Sequence, residues 1–455
     1  EQARAYAKTV DAQYIILSNG IVHYLWDLKK GNPKPIFKFP SPSEIGAIKD
    51  WNPDRQELAN EPVEENYIVQ VQMPDYLERP EWKGSVESSK DFIWTNGLRF
   101  LRAYQLNAIS HLQDAVKKGK DRFLFEMATG TGKTLVSAGV IRLFLRTKNA
   151  RRVLFLVDRL ELEDQAWKAF TNYLKPDYST FIYKEHRSDW HKADILVTTI
   201  QSLMSDNKYR YLFSPVDFDL IISDEAHRSI SGNARAVFEY FHGYKLGLTA
   251  TPKDYLKGVD LNTDRDNDPR EIERRMLRDT YETFGCDGGD PTYRYSLIEG
   301  VKQDFLINPR VLDARTEITT QLLSDKGYSV IVPTEEGEET ETFVSRDFEK
   351  KFFSEKTNRI FCETFLNNAL HDPISNEIGK TIVFAVSQNH ARKLTEIFNE
   401  FADQLYPNKY NSDFAVQVTS QVTDSQQMTI NFSNNNLNGK TTWLEGYKSS
   451  KTRIC

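Results

Sequence analysis

The most constraining feature of this sequence is a run of eight residues, Met127-Ala128-Thr129-Gly130-Thr131-Gly132-Lys133-Thr134, set between an apolar strand-like run and a helix-like one. A strand, a glycine-rich turn and a helix in that order make a cradle for phosphate. Glycines let backbone N–H groups approach the anion, and the helix N-terminus faces it with partial positive charge. Thr129, Gly130, Thr131 and Gly132 would form the turn, Lys133 would reach the β and γ phosphates of ATP, and Thr134 would ligate Mg2+. Met127 stands where the strict pattern has its first glycine. The bland alternative is a chance Gly-Lys-Thr after a strand.

A second apolar run, Phe218 to Ser223, ends in Asp224-Glu225-Ala226-His227. Two adjacent carboxylates at the carboxyl end of a buried strand are costly unless a cation lies close, which Mg2+ with ATP supplies. Asp224 would hold the metal, Glu225 would orient and deprotonate the attacking water, and His227 would couple the nucleotide to a later motif. Singly these residues read as a surface acidic cluster or a satisfied histidine; the order after a phosphate loop is what lifts them. The lysine turn and the paired acids are expected side by side at the ends of neighbouring strands.

Around these motifs, apolar runs at Arg122–Phe125, Val153–Val157, Ile195–Thr198, Phe218–Ser223 and Leu246–Thr249 alternate with helical stretches at Gln105–Lys117, Lys133–Arg146 and Glu163–Leu174. That alternation predicts an α/β fold with a parallel sheet and crossover helices over residues 98–255. Upstream, residues 1–50 carry two strand-like runs about Asn19-Gly20, an α+β segment, and residues 51–97 read as a linker or docking segment. Residues 256–310 hold a charged insertion and a further segment, and Glu335 to Glu341 reads as a solvated loop. A second α/β lobe over 311–440 rests on a strand at Thr381–Val386 and a helix at Asn389–Phe401. Residues 441–455 have no periodicity and read as an artificial tail or a truncated end.

The phosphate loop and acidic box resemble those of a superfamily 2 DEAH-box helicase, which implies RecA-like parallel-sheet lobes. Weaker segments then resemble the family's other motifs. Leu101 to Gln105 is similar to its adenine-reading segment, which implies a base contact by Gln105 and stacking by Tyr104 or Arg102. Val157 to Leu160 and Thr198 to Ser202 resemble its strand-contacting loops, which implies DNA-backbone contacts by Arg159, Thr198, Thr199 and Gln201. Leu248 to Pro252 resembles its coupling segment, with Thr249 and Thr251 as the working hydroxyls. The late arginine-bearing motifs have no match after residue 420.

Two flanking regions narrow the resemblance to the restriction subunits of type I restriction-modification enzymes. Tyr281-Glu282-Thr283-Phe284-Gly285 and Pro291 to Gly300 resemble a segment typical of that family, although Gln303-Asp304-Phe305-Leu306 departs from its Asp-Gly-Phe-Leu. Gln2 and Tyr6, four apart before the first strand, resemble the closing part of that family's nuclease domain, whose catalytic acids lie upstream; a solvated helical face is the alternative. The resemblance implies an ATP-driven translocase of double-stranded DNA, working with modification (methyltransferase) and specificity subunits. Rival readings are a DNA-repair or RNA helicase, a type III restriction motor, and a non-hydrolysing nucleotide-gated scaffold.

Bulk properties set bounds. A length of 455 residues suggests two or three domains at about 100–200 residues each. The net charge of −6 does not announce a nucleic-acid binder. No apolar run approaches the roughly 20 residues that cross a bilayer. Cys286, Cys362 and Cys455 lack metal-ligand spacing and fit a reducing cytoplasm.

Overall fold

The computed structural model describes residues 53–229, 233–255, 278–286, 289–309, 329–334, 337–342, 355–371, 378–419 and 442–446, with scattered residues between 3 and 51 and at 428 and 432. They fall into two compact units, residues 1–308 and 309–455.

The first unit opens with an antiparallel sheet of β1 (Tyr14–Ser18), β2 (His23–Asp27) and β3 (Lys34–Ile36). Gly20 takes the left-handed conformation at φ 88° and the Asn19 side chain accepts the Val22 N–H at 2.7 Å, which fixes the turn between β1 and β2. The stretch that follows is helical, including α1 (Arg55–Asn60) and α2 (Val86–Thr95). Leu58, Tyr67 and Ile68 from it are buried in the same core as the central sheet. These helices of four to ten residues are too short to print a 3.6-residue period that a sequence reading could find.

The central sheet follows, laid down as α3 (Ala103–Lys117), β4 (Arg122–Met127), α4 (Lys133–Arg146), β5 (Val153–Val157), α5 (Leu160–Leu174), β6 (Thr180–Ile182), β7 (Ile195–Thr199), α6 (Ile200–Met204), β8 (Leu220–Asp224), α7 (Ala226–Ser229), α8 (Asn233–Tyr240) and β9 (Tyr244–Thr249). After α9 (Thr280–Thr283) comes β10 (Tyr293–Tyr295), then α10 (Leu297–Lys302). All seven strands are parallel, in the order β10-β4-β9-β8-β5-β7-β6. Alternate side chains divide between two cores. Phe123, Phe125 and Met127 of β4 face one and Leu124 the other; Val153, Phe155 and Val157 of β5 part from Leu154 and Leu156 in the same way. A sheet covered on both faces explains the near-continuous apolar strands. The fold of this unit is α/β, a parallel sheet between two helical layers.

Three expectations change here. The sheet does not end near residue 255, because β10 from the family-like segment pairs with β4. The phosphate-loop strand and the acidic-box strand are not neighbours: β9 lies between them, joined in parallel to each. Crossover helices allow such an insertion, and it puts Thr249 at the end of the intervening strand. Two short strands, β6 and β10, were too brief to read from the sequence.

In the second unit, β11 (Ser329–Thr334) and β12 (Gly337–Thr342) form an antiparallel pair, so most of the acidic run expected as a loop is a strand. Its charges alternate with Thr340 and Thr342, a period of two that a charge count hides. Beyond α11 (Glu355–Asn368) lies a parallel sheet of β13 (Thr381–Ala385), β14 (Ala415–Val418) and β15 (Thr442–Gly446). Residues 442–446, expected within a tail, form its middle strand; a five-residue run with Thr442, Trp443 and Leu444 is too short to show a period. The helix α12 (Gln388–Leu405) buries Ala391, Leu394, Phe398 and Ala402. Ile382 and Phe384 of β13 remain exposed. Among the described residues no helix is long and apolar enough to cross a membrane.

Candidate functional site

The phosphate loop joins β4 to α4. Gly130 and Gly132 both hold positive φ, 84° and 74°, which a side chain would strain. Thr129, Gly130 and Gly132 are exposed, Thr131 is buried, and Lys133 and Thr134 are half-buried at the start of α4. The Lys133 ammonium donates to Met127 O at 3.3 Å, inside its own loop.

At the end of β8, Asp224 Oδ1 accepts the Glu225 N–H at 3.0 Å. Burial, reinforced by the Glu225 charge, pushes the Asp224 carboxyl up to about 6, and the Lys133 charge pulls the other way. That opposing influence puts the lysine and the acid in one electrostatic site across β9. A carboxyl held up by burial beside a second acid is a position short of positive charge, so the donor set fits a hard cation. Mg2+ commonly takes only one or two protein ligands, adding phosphate oxygens and water. Asp224 with Thr134 would serve. Among the described residues no cluster of three or more acidic, His or Cys side chains is arranged to hold a metal by itself.

Glu225 occupies the left-handed region at φ 49°, a strained conformation for a side-chain-bearing residue. Its Oε2 lies 3.3 Å from His227 Nδ1, and that same nitrogen lies 2.9 Å from Thr249 Oγ1. Burial lowers the His227 pKa against the pull of Glu225. The Thr249 hydroxyl bonded to this ring itself accepts the Thr251 N–H at 3.0 Å. The structure thus joins His227, Thr249 and the Thr251 backbone in one chain of hydrogen bonds, with the Glu225 carboxylate beside the same His227 nitrogen.

The segment expected to read the base is arranged otherwise. Gln105 is buried with its amide committed at both ends: Oε1 accepts the Arg102 N–H at 2.9 Å and Nε2 donates to Thr131 O at 3.0 Å. The Tyr104 hydroxyl donates to the same Thr131 carbonyl at 2.9 Å, and its ring is buried. These two brace the phosphate loop from beneath, with both side chains buried in this structure. Arg102 is exposed.

The strand-contacting candidates also divide. Thr198 and Thr199 are buried, and the Thr199 hydroxyl caps α6 by accepting the Ser202 N–H at 3.2 Å, so neither hydroxyl faces outward. Gln201 is exposed. Arg159 is half-buried, its Nε 3.7 Å from Asp158 Oδ2. Asp158 in turn pairs with Arg228, the residue after His227, which ties this loop to the acidic box. Sequence reading missed that pair and also Glu163, a buried carboxylate of α5 that accepts the Thr199 N–H at 2.8 Å and faces Lys184 at 3.0 Å. A carboxylate in a helix that proved buried was the available signal. Of the amino-terminal pair, Tyr6 is exposed and Gln2 lies outside the described residues.

The family-like segments converge on the phosphate-loop strand. Glu126 of β4 accepts from the Tyr281 hydroxyl at 2.9 Å and from Arg294 Nε at 3.0 Å. Glu239 of α8 takes both guanidinium nitrogens of Arg122, at 2.7 and 2.6 Å, while Arg122 also donates to Thr283 O at 2.8 Å. Burial alone would raise the Glu239 carboxyl, but Arg122 and Lys245 outweigh it and hold it at about 2.

With this geometry in hand, comparison with known proteins gives the following. Residues 100–254 match the family described as "Type III restriction enzyme, res subunit". The type I restriction enzyme EcoAI endonuclease subunit of Escherichia coli is 27% identical to this chain, over 95% of this chain and 48% of its own length. The type I restriction enzyme EcoKI endonuclease subunit of Escherichia coli K12 is 27% identical over 70% of this chain and 27% of its own length. A solved structure, "ATP-dependent Type ISP restriction-modification enzyme LlaBIII bound to DNA", aligns over 99% of this chain and 32% of its own at 16% identity and a TM-score of 0.45. This chain spans about half the length of the first of these relatives, or less of the second.

Proposed function

We propose that this chain, a relative of the endonuclease subunits of type I restriction enzymes, is the motor part of such a subunit, an ATP hydrolase that translocates double-stranded DNA. The observation that carries the reading is the pairing of a glycine-shaped loop bearing Lys133 with Asp224 and Glu225 at the same end of one parallel sheet, close enough for the lysine to act on the Asp224 carboxyl. When bound, ATP with Mg2+ supplies the transferable phosphoryl group and the counter-charge the acids call for.

The chain's own residues then have distinct tasks. Lys133 leaves Met127 O to bind phosphate oxygens, and the N–H groups of residues 129–134 donate to them. Glu225 orients a water and takes its proton. His227 shares a hydrogen bond with the Thr249 hydroxyl, so the residues sensing hydrolysis are tied to the backbone at Thr251. Arg159 and Gln201, beyond β5 and β7, would meet the DNA backbone, with Arg228 and Asp158 linking that loop to the box. In this reading the partners are modification and specificity subunits.

The test is a pair of variants assayed by calorimetry and phosphate release. Lys133→Ala should abolish ATP binding, and Glu225→Gln should keep binding while stopping hydrolysis; wild-type turnover in both would refute the assignment. A second reading, a type III restriction motor, draws on the family match over residues 100–254. Co-purification with type I modification and specificity subunits would decide against it.

A further inference from the structure

Buried aromatic rings stack beside the phosphate loop and reach solvent at one place. Tyr295 at the end of β10 lies flat on Tyr104, centroids 4.2 Å apart and 6° from parallel. Phe305 meets the Tyr104 ring edge-on at 5.1 Å, and the Arg102 guanidinium lies over Phe305 at 5.0 Å. Tyr104 and Tyr295 are 2% and 3% exposed, whereas Phe305 is 38% exposed. The ladder thus ends, at its open side, in an aromatic ring covered by a planar cation.

The same segment is fastened to the loop that would hold phosphate. Ala128 N–H donates to Tyr295 O at 3.0 Å, so the first residue after β4 is held by β10. After α10 the chain turns sharply: Gly300 O accepts from both Phe305 N at 2.9 Å and Leu306 N at 3.0 Å, with Asp304 in the left-handed region at φ 58°. A Cβ on Gly300 would sit 2.6 Å from Leu306 Cδ1, so any side chain there would have to displace Leu306. Leu306 Cδ2 in turn comes within 3.2 Å of where a Cβ on Gly130 would stand. One turn therefore delivers Leu306 to the phosphate loop and Phe305 to Arg102.

We propose that residues 293–306 are the base-side wall of the nucleotide site, and that Phe305 with Arg102 is the platform on which a nucleotide base stacks. This rests on the phosphate-loop reading and adds to it a residue far downstream of the motif that binds phosphate. It also gives a task to the family-like segment, for which the sequence offers likeness but no mechanism. Tyr104 and Gln105, committed to Thr131, hold the loop; Phe305 and Arg102, exposed, are what a base can meet. Stacking uses the π-face that every base has, so the platform should not choose among bases.

The experiment is calorimetric titration of the full chain with ATP, GTP and inorganic tripolyphosphate. Phe305→Ala should weaken ATP and GTP by the same factor, roughly tenfold, and leave tripolyphosphate unchanged. Phe305→Trp should restore both nucleotides. Gly300→Val, which touches no ligand but displaces Leu306, should weaken ATP as well. ATP binding that is lost in Lys133→Ala yet indifferent to Phe305→Ala overturns this proposal alone, as does equal weakening of ATP and tripolyphosphate. A wild-type chain that binds neither ligand overturns the phosphate-loop reading, and this one with it.

Discussion

The phosphate end and the base end of the candidate site are built on opposite plans. At the phosphate end the working groups are neighbours in the sequence, Gly130 to Thr134 in one turn and Asp224 to His227 in another, and they are polar and held short of neutralisation. At the base end the groups come from residues 102–105 and 295–306, half of them are aromatic, and Tyr104, Gln105 and Tyr295 are buried while Arg102 and Phe305 are exposed. Phosphate chemistry demands fixed charges at fixed spacing, which a short motif can encode. A stacking surface demands only a flat ring in the right place, which many sequences can supply from afar.

That contrast decides what the sequence made legible. The parallel sheet, β5, α4 and the acidic box could be read because each is a local pattern with its own period or spacing. The insertion of β9 between the two chemical strands could not, since strand order is set by crossovers. Nor could the spent amide of Gln105 be foreseen: a glutamine beside a phosphate loop reads as a ligand contact until its partners are seen to be Arg102 N and Thr131 O. The buried hydroxyls of Thr198 and Thr199 are likewise bonded within the chain, one donating to Thr199 O and the other accepting the Ser202 N–H.

The comparison can be broken most forcefully by rate. If the phosphate end carries chemistry and the base end only affinity, Glu225→Gln should lower steady-state hydrolysis by ~10²–10⁴ with ATP affinity intact. Phe305→Ala should leave turnover at saturating ATP within a factor of about two. A large loss of saturated turnover in the Phe305 variant would show the two ends are not separable.

The next effect is on stability. Glu239→Gln removes the partner of Arg122 and should cost about 2–3 kcal/mol, read as a lowered denaturant midpoint. Because the folded-state pKa of Glu239 is depressed to about 2, its stabilisation is present above the ordinary carboxylate range and is lost as pH falls toward 2. The wild-type advantage over the variant should shrink across that window; an advantage unchanged at pH 2.5 would rule out the ion pair as its source.

Asp224 works in the opposite sense. Its carboxyl is raised to about 6, so the folded state favours the protonated form and stability falls as pH climbs from about 4 through 6. Asp224→Asn should therefore stabilise the nucleotide-free chain by about 1–3 kcal/mol at pH 8 and by nothing near pH 4. A variant less stable than wild type at pH 8 would mean that the acid is already neutralised within the fold. Smallest of all, Tyr295→Phe removes the 2.9 Å hydrogen bond to Gln303 and should cost about 1 kcal/mol, leaving the stacked ladder and ATP affinity in place.

The brevity of β10 matters beyond the ligand. It occupies what would otherwise be an open flank of β4, a six-residue strand whose Phe123, Leu124, Phe125 and Met127 are all buried. Strands with bare, apolar flanks recruit other chains into intermolecular sheets, and proteins commonly suppress this by making the outermost strand very short. Here both outermost strands, β10 and β6, are three residues long. The strap that shapes a binding surface is thereby also a guard against self-association, and a deletion spanning it would be expected to yield precipitate before it yields an enzyme with altered affinity.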